Sequence, residues 1–411
     1  MWFFRSPEIV FGEGALEHLA GLEGSRALVV TDRNIEGLGL VRLVAEHLHQ
    51  AGMDVTVFAE VEPNPSLETV QRGGKVALEV RPDWIVALGG GSCLDAAKSI
   101  WIQYERPDLG PDDVAPMGRL GLRQRARLIG IPTTSGTGAE VTWPIVLTDT
   151  REHRKISVGH PENIPDLAIV DPTLVLDLPA QITADTGMDV LTHAVEGYTS
   201  QWHNDFADGL CLKAIQLVFD FLPRAYRQGC DDEEARERMH NAATIAGLGF
   251  GNSMAALAHG LGHAIGALLP IPHGRAVGLC LAYTIEFSVR GDLPTRYGDI
   301  ARFLGLAASD EGEAAACLAT AVRELARSVG QPASLREAGI SPETFEEVLP
   351  AIVDNAYFDS ATLIGPRIPE DEDMERLLRC VYEPFDLHGC KATPTSSRKA
   401  FGGQRRRYLP Q

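Results

Sequence analysis

The sequence predicts an α/β unit, a doubly wound parallel sheet, followed by an all-α unit, and three features carry that expectation. Between residues 27 and 176 short apolar runs alternate with amphipathic segments, the pattern of strands joined by helices in a parallel sheet. Glycine- and hydroxyl-rich turns directly follow several of these runs, where a parallel sheet lines its ligand crevice. Beyond Pro179 the apolar spacing changes to a helical period and keeps it. With 411 residues the chain is long enough for two substantial cores, and 45% hydrophobic residues is an ordinary globular content.

Taken in order, residues 27–31 (ALVVT) read as a buried strand, 40–51 as a helix and 55–58 as a second strand. Asp32 follows the first of these strands. An acid there can hold a ribose 2′-hydroxyl and repel a 2′-phosphate; the alternative is a helix cap or turn aspartate. Asn64 lies in a PNPS turn before a helix over 66–80, and residues 84–88 (WIVAL) form a third strand. Gly89-Gly90-Gly91-Ser92 leaves that strand and opens the helix CLDAAKSIW. Glycines let backbone approach a pyrophosphate, while a helix N-terminus offers free N–H groups and partial positive charge. Asp95 and Lys98 on the next turns read either as support for this loop or as a surface pair. Residues 103–127 are ambiguous. Residues 128–142 (LIGIPTTSGTGAEVT) form a strand end followed by Thr133, Thr134, Ser135 and Thr137, hydroxyls able to donate to phosphate or ribose oxygens, with Thr142 closing the run. Lys155 stands in HRKISV, and 167–179 supply a last strand and exit turn, so the boundary between units is set after residue 178. Helices are expected over 182–201, 208–228, 232–259, 260–268, 274–289, 293–304, 311–329 and 342–355.

The helical half carries the densest set of candidate ligands. Asp189 and His193 are four apart in GMDVLTHAVEGY, and His259 and His263 are four apart in ALAHGLGHAIGALLPIPHG, with His273 ten residues on. Positions i and i+4 share a helix face, so two helices and a loop can aim a carboxylate and several imidazoles at one point. Such ligands suit zinc or ferrous iron. Each pair alone also reads as an exposed pair or a capped core histidine. Pro270 and Pro272 interrupt the helix, which puts His273 on a loop.

These segments, together with P-T-T-x-G-T-G-x-E-V-T, resemble the iron-dependent (group III) alcohol dehydrogenases, including the alcohol dehydrogenase half of bifunctional aldehyde-alcohol dehydrogenases, over roughly residues 5–385. The resemblance implies a Rossmann-like NAD-binding domain over 1–178 and a helical metal-binding catalytic domain over 179–386, the dehydroquinate synthase-like fold; residues 387–411, with Gly, Ser, Pro and an Arg run, read as a mobile tail. It implies Asp189, His193, His259 and His273 as ligands of Fe2+, with Zn2+ able to occupy the same residues. His263 is the expected catalytic residue, beside nicotinamide and substrate. Asp32, Asn64, Gly89, Gly90, Gly91, Ser92, Asp95, Thr133, Thr134, Ser135, Thr137, Thr142 and Lys155 are the expected NAD contacts. The implied reaction is hydride transfer between NAD(H) and a small primary alcohol or aldehyde, the metal polarising the substrate oxygen. Phe250, Met254 and Leu257 suggest an apolar lining suited to an uncharged substrate. The family's closing Asn-Pro-Arg is replaced by Gly365-Pro366-Arg367, which bears on substrate choice. Three rivals share the fold. A dehydroquinate synthase-like lyase needs a basic cluster that is not seen near the ligands. A glycerol dehydrogenase-like enzyme does without the His193 ligand, and a non-catalytic scaffold subunit has no need of intact ligand and phosphate motifs.

Composition narrows the partners. A net charge of −19 argues against nucleic acid or an anionic membrane. Seven scattered cysteines without a C-x-x-C argue against a disulfide framework and for a reducing compartment. No signal peptide or apolar run of about 20 residues is visible, so a cytoplasmic location is expected; the resemblance implies a homodimer acting on a small-molecule alcohol or aldehyde.

Overall fold

A computed structural model describes residues 3–383 apart from 152 and 153; the tail expected at 387–411, with the last residues of the second expected domain, lies outside the described residues. The first half contains strands β1 (Glu8–Phe11), β2 (Arg26–Val30), β3 (Asp54–Phe58), β4 (Trp84–Gly89), β5 (Arg127–Pro132), β6 (Pro144–Asp149), β7 (Arg154–Gly159) and β8 (Leu167–Val170). Its α-helices are α1 (Arg33–Gly37), α2 (Leu40–Gln50), α3 (Leu67–Val80) and α4 (Gly91–Glu105). Six strands form one parallel sheet in the order β1-β8-β5-β4-β2-β3, and β6 and β7 form a separate antiparallel hairpin.

The expected strands form because their residues bury on both faces. In β2 and β4, Leu28, Val30, Ile85 and Ala87 pack toward α4, while Val29, Val86 and Leu88 pack toward α2. Near-continuous apolar runs are the signature of such doubly covered strands. The order of strands reverses between β2 and β4, which opens a crevice at their carboxyl ends. Register then fixes what faces it: Val30 pairs with Ala87, and Gly89 with Pro132. The Asp32, Gly89–Ser92 and Thr133–Thr137 turns therefore leave three adjacent strands at one edge.

Two features of this half were not expected. β1 is a short edge strand that pairs with β8 (Glu8 with Leu167), a contact that sequence periodicity does not encode. The β6–β7 hairpin follows the hydroxyl-rich loop and delivers Lys155.

Among the described residues no strand follows β8, so the α/β-plus-helical fold class is as expected. The helices are α5 (Ala180–Thr199), α6 (Asp205–Gln228), α7 (Glu233–Phe250), α8 (Leu257–Leu268), α9 (His273–Ser288), α10 (Tyr297–Phe303), α11 (Glu311–Ser328), α12 (Pro342–Phe358) and α13 (Asp371–Tyr382). One core joins α5, α6, α7 and α11, and another joins α8, α9, α12 and α13. The single helix expected over 232–259 is two. α7 stops at Phe250, and α8 restarts at Leu257 because the buried Glu196 carboxylate on α5 accepts the amides of Ala256 (2.9 Å) and Ala258 (2.5 Å), satisfying N–H groups that a helix start leaves free. His273, expected on a loop, begins α9 immediately behind Pro272; proline before the first turn forfeits no helical hydrogen bond. α10 starts four residues later than expected, and α13 was not anticipated.

The two halves approach closely at a pair of glycines. A Cβ on Gly138, whose φ is +61°, would stand 2.6 Å from the Gly247 Cα on α7. Only hydrogen fits on both sides, so the hydroxyl-rich loop is seated directly on the helical half.

Candidate metal centre and cofactor cleft

α5 places Asp189, His193 and Glu196 at i, i+4 and i+7, on one buried face. Asp189 Oδ1 lies 3.6 Å from His193 Nδ1, 3.7 Å from His259 Nε2 on α8 and 3.5 Å from His273 Nε2 on α9. Four atoms held about 2.1 Å from one ion at tetrahedral angles stand about 3.4 Å apart, close to these separations. Asp189, His193 and His259 bring one ligand atom each within 4.8 Å of one another, and His273 adds its nitrogen beside Asp189 from the more open side.

The donor atoms are unsatisfied. Asp189 Oδ1, His193 Nδ1 and His259 Nε2 are all buried without a hydrogen-bond partner, a costly arrangement unless something else fills the space between them. A divalent cation would do so, and the residues fit it. Electrostatics agree. Burial, reinforced by the neighbouring imidazoles, holds His193 well below the usual histidine range. Burial and the other imidazoles do the same to His273, outweighing Asp189. Both are therefore neutral rings with a lone pair to give. Burial alone would also lower His259, but Asp189 and Glu196 raise it to about 9. The negative potential that favours a proton on that ring favours a cation at the same place.

Two carboxylates that sequence reasoning missed orient this centre. Glu196 accepts from His259 Nδ1 at 2.6 Å, leaving Nε2 to face Asp189; a carboxylate behind a ligating imidazole fixes its tautomer and direction. Its signal was present in the helical spacing from Asp189 and His193. Asp359, just past α12, accepts from His263 Nδ1 at 2.8 Å, and its other oxygen accepts the Ala361 amide at 2.9 Å. No local pattern links residues 96 apart, so this partner was invisible. His263 stacks on His273 with ring centroids 5.3 Å apart.

The four histidines and Asp359 line a cavity of about 270 Å³. Of the expected cofactor residues, Asn64, Gly91, Ser92, Asp95, Thr137, Thr142 and Lys155 line it together with His193, His259, His263 and His273. The turns touch one another: Ser92 Oγ accepts the Asn64 amide at 3.3 Å, and a Cβ on Gly91 would meet Thr137 Cγ2 at 2.8 Å. Gly90 is the N-cap of α4 and packs against Thr134, and Gly89 has φ +147° with the Cys93 side chain beneath it. Asp32 caps α1 through Oδ1, which accepts the Asn34 and Ile35 amides, while Oδ2 accepts the Cys93 thiol at 3.4 Å. Ser135 is engaged elsewhere, with its hydroxyl 3.1 Å from Nδ1 of the buried His240, and Thr133 is buried with its hydroxyl unpartnered. Lys98 is no surface residue: it is fully buried, its Nζ donating to Pro144 O at 3.2 Å, between Asp95 and Glu140. Burial raises Asp95 to about 6 and lowers Lys98 to about 8. Phe250 and Met254 line the cavity as expected, and Phe250 stacks on His193 with centroids 4.0 Å apart. Leu257 does not; it is buried in the core under α8.

A parallel-sheet half bearing turns that can cradle a dinucleotide, closed by helices that converge imidazoles and a carboxylate, defines a metal-dependent oxidoreductase. Comparison with known proteins specifies it. Residues 6–172 match the family model for iron-containing alcohol dehydrogenase, and residues 183–382 match that for the C-terminal part of the Fe-containing alcohol dehydrogenase family. The chain is 38% identical over 384 residues to the NADPH-dependent butanol dehydrogenase of Clostridium saccharobutylicum, covering 93% of this chain and 98% of that protein. It is 38% identical over 407 residues to the aldehyde-alcohol dehydrogenase of Streptococcus pneumoniae serotype 4, with 93% of this chain covered but only 46% of that protein. This chain thus spans about half the length of such two-function relatives. Among solved structures, an alcohol dehydrogenase from Oenococcus oeni superposes with a TM-score of 0.87 at 31% identity, over 93% of this chain and all of that one. The chain belongs to the iron-containing alcohol dehydrogenase family and is an oxidoreductase of that class, as its ligand and loop motifs led us to expect. No described helix is long and apolar enough to cross a membrane.

Proposed function

We propose that the chain is an NAD-dependent alcohol dehydrogenase and aldehyde reductase for small, uncharged primary alcohols and aldehydes, with Asp189, His193, His259 and His273 holding ferrous iron. The observation that carries this reading is the trio of buried, unpartnered ligand atoms on Asp189, His193 and His259, two of which, His193 and His259, line the same cavity as the Gly91–Ser92 and Thr137 turns. The reading divides the chain into a cofactor domain over 1–178 and a metal domain over 179–386, acting as a cytoplasmic homodimer.

When bound, the metal supplies Lewis acidity toward the substrate oxygen and NAD supplies the hydride acceptor. The chain does the rest. Glu196 keeps a proton on His259 Nδ1, so Nε2 keeps its lone pair. Asp359 does the same for His263, whose free Nε2 is the atom that takes up the hydroxyl proton of an alcohol or returns it to an aldehyde. Asp32 Oδ2, bonded only to a weak thiol donor, is free to accept a ribose 2′-hydroxyl and opposes a 2′-phosphate. The α4 N-terminus, with Ser92 and Thr137 around it, offers donors to a pyrophosphate. Phe250 and Met254 form an apolar wall that favours a short alkyl chain.

The test is anaerobic NAD reduction by a panel of short primary alcohols and diols, using protein stripped of metal and reloaded with iron or zinc. The reading expects activity that returns with metal; NAD binding without turnover in every combination overturns it.

A further inference from the structure

Asp185 stands on α5 one helical turn before Asp189, and Arg275 stands on α9 two residues after His273. Neither lines the cavity. The Arg275 guanidinium grips Asp185 with two arms, Nε to Oδ1 at 3.0 Å and Nη2 to Oδ2 at 3.1 Å. A planar two-armed contact fixes orientation as well as distance, which a single contact does not. Asp185 Oδ1 also accepts from Gln331 Nε2 at 2.7 Å, beyond α11, and from Gln181 Nε2 at 3.3 Å. The carboxylate is thus held by its own helix and by two other segments, and Asp185 is buried, well shielded for a charged contact.

Between this contact and the ligands lies Gly274. A Cβ there would stand 2.2 Å from the Asp185 carbonyl oxygen and 3.1 Å from Asp189 Cβ. The first turn of α9 is therefore pressed, backbone to backbone, onto the Asp185–Asp189 turn of α5. His273 is the first residue of α9, and no side chain caps that helix. Its position relative to Asp189 is set by whatever clamps this turn.

We infer that the Asp185–Arg275 fork, seated by Gln331, is a positioning device for the metal centre that sets the separation of His273 from Asp189. The inference rests on the metal reading above and adds residues outside the site to it. Asp185, Arg275 and Gln331 touch neither metal nor substrate. They act through His273, because slack between α5 and α9 at the fork passes within one helical turn to the ligand pair.

The test is a double-mutant cycle on zinc affinity, read by chelator competition with metal-stripped full-length protein: wild type, Arg275→Met, His273→Ala and the double variant. Arg275→Met should weaken zinc binding about 10- to 100-fold, the range for partners behind a metal ligand, and should shift the visible bands of the cobalt-loaded protein. With His273 absent, the same change should cost less than about twofold, because coupled residues are not additive. An equal loss in both backgrounds, or unaltered zinc affinity with only a lower unfolding temperature, overturns the inference. If His273→Ala binds zinc as tightly as wild type, His273 is not a ligand and the metal reading is what fails. Should Arg275→Met not fold, Arg275→Lys, which keeps the charge but loses the two-armed contact, enters the same cycle under the same criteria.

Discussion

Replacing Asp359 isolates the role of His263. Each Asp359 oxygen has its own donor, His263 Nδ1 at 2.8 Å and the Ala361 amide at 2.9 Å, and the carboxylate is largely buried, held below the usual range by His263 against the opposing effect of burial. Asparagine has one oxygen for these two donors, so Asp359→Asn must give up one contact, and Asp359→Ala gives up both. A hydrogen bond to a charged partner is worth about 1.5–3 kcal/mol. If that is lost in full in the transition state, the rate falls roughly 10- to 150-fold. The assay is steady-state oxidation of a short primary alcohol by iron-loaded protein, with metal content measured on the same samples. Turnover should fall by about that factor in Asp359→Ala while metal stoichiometry holds, since Asp359 contributes no atom to the ligand cluster. In a His263→Ala background the change should add little, because its only route to the reaction has gone. Undiminished turnover, or metal lost in proportion to activity, would refute the reasoning.

Other perturbations probe separate links. Glu196→Gln keeps the volume behind His259 but removes the charge and one acceptor, and should weaken iron or zinc binding about 10- to 100-fold by chelator competition; unaltered affinity would mean that His259 needs no carboxylate behind it. Asp32→Ser should raise the efficiency with NADPH relative to NADH, measured as the ratio of kcat/KM values, and an unmoved ratio would remove Asp32 from cofactor choice. Lys98→Met strips the buried Asp95 and Glu140 of their counter-charge and should cost roughly 3–5 kcal/mol in urea unfolding. Asp95 titrates at about 6 in the fold, above the ordinary 3.8, so the folded chain holds an extra proton between those values; this group's contribution to stability is full below pH 4 and declines as the pH rises through 6. Asp95→Asn should flatten that part of the stability–pH curve. Gly247→Ala places a methyl 2.9 Å from Gly138 Cα, so it should lower the unfolding temperature and raise KM for the cofactor together. A change in stability alone would uncouple that seam from the loop.

Local sequence determined a good deal. Apolar runs such as WIVAL specify buried strands because a segment covered on both faces has no solvent side to mark with polar residues. The spacing of Asp189 and His193, and of His259 and His263, specifies shared helix faces because the helical period is a local property. Glycine and hydroxyl clusters at strand ends marked the turns that line the cleft.

What tertiary structure alone decided is of another kind. Glu196 starts α8 from α5, where periodicity would have run one helix on to His259. Asp359 reaches His263 across 96 residues, and Ser135 turned out to serve His240 rather than the cavity. β1 found its place only by pairing with β8. Whether Asp32 acts as a cap, and whether Lys98 is buried or exposed, could not be read from their neighbours either. Periodicity records which face of an element is hidden. It does not record which distant element hides it, and a buried polar atom must be satisfied by whatever arrives there.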